Sequence, residues 1–124
     1  DLAVHVAKSA RLRYPAKSVP EELVETFRSL GHLAEDITNQ LRGLILNPSV
    51  ESANSIQQAD DKIDAIHRDL FRIVLDPKWS HGVEAAVDVT LLSRYYERFA
   101  DHAVSVARRV IQVLTGEAYI DTHI

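Results

Sequence analysis

Two pairs of acidic residues four apart stand at the edge of apolar stripes in this chain, Asp60 with Asp64 and Glu97 with Asp101. On a helix, residues at that spacing are surface neighbours, with Cβ atoms about 5–6 Å apart, and like charges there repel. Each pair lies one residue beyond an apolar position, Ala59 and Ile63 for the first and Tyr96 for the second, which puts both at the border of a core. If the two helices run antiparallel, four carboxylates can converge on a hard cation such as Mg²⁺, Mn²⁺ or iron. His67, one turn beyond Asp64, would add a nitrogen and bias the site towards a transition metal. The same acids can instead be neutralised by Lys62, Arg68, Arg94 and Arg98 as surface ion pairs, each worth little. Spacing alone leaves both readings open.

Other chemistries find no footing. The 124 residues contain no cysteine, so disulfides, thiolate metal sites and a Cys nucleophile are absent. No nucleophile elbow, phosphate-binding glycine loop or zinc-protease helix is present. A ferritin-type di-metal oxidase needs Glu-x-x-His on two helices, whereas this chain offers only Asp64-x-x-His67. A carboxylate-rich metal-storage or redox bundle is nevertheless the rival to a non-catalytic role. The formal net charge of −4, with basic residues interleaved among acids, argues against nucleic acid as a partner. No apolar run approaches the roughly 20 residues that cross a bilayer. His102 is turned about 100° from Asp101 and suits packing better than ligation. His5, His32 and His81 read as surface or boundary residues.

The elements that must position these groups are helices. Only four glycines and four prolines occur, and the prolines fall between periodic segments. The first segment runs from about Val19 to Leu46 with the stripe Leu23, Phe27, Leu30, Ala34, Ile37, Leu41 and Leu44. Ser18 and Glu21 are spaced as a capping box, with Pro20 in the first turn. Asn47-Pro48 stops this helix and Ser49 caps the next. The second, from about Val50 to Leu75, carries Ile56, Ala59, Ile63, Ile66, Leu70 and Ile73 and ends at Asp76-Pro77. Ser80 is the expected N-cap of the third, with Trp79 stapling against Val83 or Glu84. That helix continues to about Leu114 with Ala85, Val89, Leu92, Tyr96, Phe99, Ala103, Val106, Val110 and Val113, and Gly116 terminates it. Short connections make the neighbours antiparallel, giving an all-α, up-down three-helix bundle.

The opening residues add an internal repeat. Asp1-Leu-Ala-Val-His-Val-Ala-Lys8 aligns without gaps on Asp101-His-Ala-Val-Ser-Val-Ala-Arg108, identical at five of eight positions. Residues 1–17 are therefore expected to be the end of a helix from a preceding, missing repeat plus a linker from Arg11 to Lys17. Residues 18–118 form the three-helix unit, and 119–124 a tail.

Tyr96-Glu97-Arg98-Phe99-Ala100-Asp101-His102-Ala103 resembles the E-R-x-x-D-H-A signature in the last helix of a PhoU repeat. Asp60-Asp61-Lys62-Ile63-Asp64, followed by His67 and Leu70-Phe71, resembles the pattern of the helix before it. The stretch from Gly82 to Tyr95 is similar to the actinobacterial branch. The resemblance implies two tandem three-helix repeats in a cytoplasmic, non-catalytic regulator of phosphate uptake and phosphate-starvation signalling. The implied partners are a PstB-type transporter ATPase and a PhoR-type sensor histidine kinase, with a homodimer and peripheral membrane association through these partners. It also implies bound metal, iron or another divalent ion (Zn, Mn or Mg), on Asp60, Asp64, Glu97 and Asp101, with Asp1 as the counterpart of Asp101 in the first repeat. The Glu expected four residues before Asp1 falls outside the chain. Ser105, and His5 in the first copy, stand where asparagine is usual.

Overall fold

A computed structural model describes residues 1–12, 14 and 19–116. Ser18 of the expected capping box, most of the linker around Pro15, and the 119–124 tail lie outside the described residues. Four α-helices follow in order: α1 (Leu2–Leu12), α2 (Val24–Leu46), α3 (Val50–Leu75) and α4 (Gly82–Thr115). A single 3-10 turn, Glu21–Leu23, leads into α2. No strand occurs among the described residues, and none of their helices is long and apolar enough to cross a membrane.

The helix boundaries follow local chemistry. The Ser49 hydroxyl accepts from Ser52 N–H at 3.1 Å, satisfying one of the free donors at the start of α3. Between α3 and α4 the Asp76 carboxylate accepts from Lys78 N–H at 2.8 Å, and Trp79 Nε1–H donates to the Gly82 carbonyl at 2.8 Å. The N-cap position of α4 is His81, without a side-chain cap, rather than Ser80. Gly82 sets this start: its φ of 86° lies in the left-handed region, and the Trp79 indole holds the turn. Gly116, at φ 75°, closes α4 with its N–H on the Gln112 carbonyl.

Helices α2, α3 and α4 pack on one another in an up-down bundle. The pairing of His67 with Glu97, and of Asp60 and Asp64 with Asp101, fixes α3 and α4 as antiparallel. Leu30, Ile37, Leu44, Ile56, Ile63, Leu70 and Val89 form the fully buried centre. Helix α1 packs against α4, where the His5 ring stacks on Tyr95 at 5.2 Å between centroids. Leu2, Ala3 and Val6 there share a cleft with Tyr95, Tyr96 and Phe99.

The apolar stripes are confirmed in their middles and drift at their ends. Ile73, Val106 and Val113 were expected inside but are exposed, Val113 at 87%. On α4 the core instead takes Ala100, Val104, Ala107 and Ile111. The reason is geometric: a stripe repeating every seven residues falls about 20° behind a straight helix with each heptad. Over the long α4 that rotation carries the last members off the core.

Ile63→Ala is expected to lower unfolding stability by about 2–5 kcal/mol, as a cavity left in a fully buried site does. Gly82→Ala should cost about 1–2 kcal/mol through its left-handed backbone, although no atom crowds the added Cβ. Urea denaturation followed by helical circular dichroism measures both.

Candidate metal centre

Asp60 and Asp64 project from one face of α3, and Asp101 meets them from α4. One carboxylate oxygen from each lies within 4.8 Å of the others. Asp60 is buried, Asp64 half-buried and Asp101 exposed, so the group grades from core to solvent. The three carboxylates line a cleft of about 470 Å³ with Gln57, Asp61, Arg68, Val104, Ser105 and Arg108.

Three negative groups this close repel one another. Burial, followed by the charges of Asp64 and Asp101, pushes the Asp60 carboxyl up from 3.8 to about 7. A hydrogen bond with the Asp101 carboxyl contributes in the same direction. Asp64 is raised as well, first by burial and then by Asp101, Glu97 and Asp61, while Arg68 opposes the shift. One Asp60 oxygen, Oδ1, is buried with no hydrogen-bond partner. A divalent cation would relieve the repulsion and occupy that oxygen, and an all-carboxylate donor set suits hard ions.

Glu97 and His67, grouped with these acids on sequence spacing, form an adjoining network. Glu97 Oε2 pairs with His67 Nε2 at 3.0 Å, and Glu97 Oε1 with Arg94. The other imidazole nitrogen, Nδ1, lies 2.6 Å from Ser93 Oγ, which itself donates to the Thr90 carbonyl at 3.1 Å. Both His67 nitrogens and both Glu97 oxygens are therefore engaged beside the three aspartates. The ion-pair reading is thus observed for Glu97 with Arg94. Asp1, exposed at the start of α1, is not in the carboxylate group. Helix α1 approaches α4 on its Tyr95 and Phe99 side, whereas Asp101 faces α3.

Spacing missed Ser93 and Gln57. Ser93 is 1% exposed and interrupts the α4 stripe with a polar group, a signal that a buried partner was needed. Gln57 sits one turn before Asp60 on the same face of α3.

The family model described as the PhoU domain matches residues 27–110. The phosphate-specific transport system accessory protein PhoU homolog 2 of Mycobacterium tuberculosis is 52% identical over 115 residues, covering 93% of this chain and 54% of that protein. PhoU homolog 1 of Mycobacterium leprae is 51% identical, covering 93% and 52%. The PhoU homolog of Rhizobium meliloti is 32% identical, covering 94% and 49%. The chain spans about half the length of these curated relatives. No solved structure matches it.

The raised Asp60 carboxyl sets a sign for pH dependence. The unfolded chain releases this proton near 3.8 and the fold keeps it to about 7. Stability from this group therefore falls as pH rises through that window, and the penalty is complete above it. In chelator-treated protein, Asp60→Asn should raise Tm relative to the unaltered chain at pH 8 and leave it nearly unchanged near pH 4. Thermal melts at the two pH values measure the difference, and an equal increment at both would contradict the assignment.

Proposed function

The chain belongs to the PhoU family, and from that premise we propose that it is a helical adaptor in the control of phosphate uptake and phosphate-starvation signalling. Accessory proteins of this family are non-catalytic regulators. The observation that carries the reading is the match over residues 27–110, with relatives named as accessory proteins of a phosphate-specific transport system. The proposed partners are a PstB-type transporter ATPase and a PhoR-type sensor kinase, met in the cytoplasm, with the protein acting as a homodimer. The unit spanning 18–118 is one of two tandem repeats, and α1 is the end of the preceding one.

An adaptor works by differential binding: it docks more tightly on one state of its partner and shifts that equilibrium. Exposed apolar side chains support a docking role. Phe71, Leu75, Val83, Val87 and Leu91 line an open groove between α3 and α4 at the end nearest their connection.

Asp60, Asp64 and Asp101 are the proposed ligands of a divalent metal ion. Bound there, the ion would supply positive charge that cancels their repulsion and clamps α3 to α4. Glu97, held by Arg94 and His67, borders the site. The storage or redox reading gains no particular support, because His67 is committed to Ser93 and Glu97.

Full-length protein is expected to capture the PstB-type and PhoR-type proteins in a pull-down. A Val83→Asp, Val87→Asp variant should weaken capture at least severalfold while keeping its helical signal. Absence of enrichment of either partner would count against the adaptor reading.

A further inference from the structure

We infer that Gln57 supplies a neutral fourth ligand, its side-chain amide oxygen, to the cation held by Asp60, Asp64 and Asp101. The inference rests on the cation-site reading above. Gln57 is only 7% exposed, and its Oε1 has no hydrogen-bond partner among the described residues. It lines the same cleft as the three aspartates. Asp60, one turn further along α3 and 5% exposed, holds the second orphaned oxygen of that cleft.

Buried acceptors without partners are rare, because they lose water's hydrogen bonds and gain nothing in return. Two of them at i and i+3 on one helix face, opening on one acidic cleft, constitute a ready donor set for a positive centre. Carboxylates with an amide carbonyl are the ligand combination that hard cations of the Mg²⁺, Mn²⁺ and Ca²⁺ class take. A neutral fourth ligand is also what the electrostatics favour. Three carboxylates with oxygens within 4.8 Å of one another already repel when no ion is bound, and a further negative group would add to that repulsion. The imidazole of His67, one turn beyond Asp64, is tied to Ser93 and Glu97, and among the described residues no histidine lines the aspartate cleft, so the available set is all oxygen. Gln57 thus makes the site selective for hard cations.

Mn²⁺ binding to purified, chelator-stripped protein, read by loss of the free-ion electron paramagnetic resonance signal, tests this directly. Gln57→Leu, which keeps the size and removes the oxygen, should weaken Mn²⁺ binding about tenfold or more. Gln57→Glu, which keeps an oxygen, should retain binding at or above the original level. Circular dichroism melts in chelator check that each variant folds; should Gln57→Leu fail to fold, Gln57→Met takes its place with the same expected loss. Gln57→Leu, or Gln57→Met in its place, binding as tightly as the unaltered protein while Asp64→Asn loses Mn²⁺ would overturn the role of Gln57 and leave the aspartate site standing. Mn²⁺ binding by the unaltered protein no tighter than by Asp64→Asn would overturn the cation site itself, and this inference with it.

Discussion

The antiparallel contact between α3 and α4 brings like charges together, and the rest of the site is organised around that conflict. Asp60 and Asp64 on one helix and Asp101 on the other are held within a few ångströms by a core that does not depend on them. Small residues make the close approach possible: Ala59 on α3 and Ala100, Ala103 and Ala107 on α4 are buried along the bundle interior. Apolar burial fixes the helices, and the carboxylates accept the geometry they are given. Burial first, and then the neighbouring carboxylates, raises the proton affinity of Asp60 and Asp64. Repulsion enforced by packing gives the fold a gain to be had from a bound cation.

A second polar layer flanks the first. Ser93, His67, Glu97 and Arg94 form a chain of partners running from a buried hydroxyl to the surface. This chain gives both Glu97 oxygens protein partners, although its charge still helps to raise Asp64. The bundle therefore separates two kinds of acid on α4: Glu97, satisfied by protein partners, and Asp101, left facing the aspartates of α3. That division was invisible to spacing, which treats Glu97 and Asp101 as equivalent members of one pair.

Much of the architecture was legible because amphipathic periodicity and punctuation are local. Asn47-Pro48, Ser49, Asp76-Pro77 and Gly116 marked the ends of helices where the structure has them. Convergence of Asp60, Asp64 and Asp101 was also readable, since antiparallel neighbours with short connections bring those positions level. What was not legible depends on tertiary detail. The fate of Val106 and Val113 required the accumulated rotation of a long helix against its neighbours. The start of α4 at Gly82 depended on an indole hydrogen bond that no capping pattern encodes. Gln57 carries no motif, and only burial without a partner distinguishes it from a solvated glutamine. The motif resemblance, resting on the 60–71 and 82–103 stretches, led to the family, and the match over 27–110 bears it out.

The central claim is that packing of α3 on α4 creates a carboxylate site whose repulsion a divalent cation relieves. Anomalous X-ray diffraction from crystals grown with Mn²⁺ tests it most directly. The account predicts an anomalous peak about 2.0–2.6 Å from oxygens of Asp60, Asp64 and Asp101, the range of hard-cation ligands. A map with no peak between these three side chains, while manganese sits elsewhere on surface carboxylates, would contradict it.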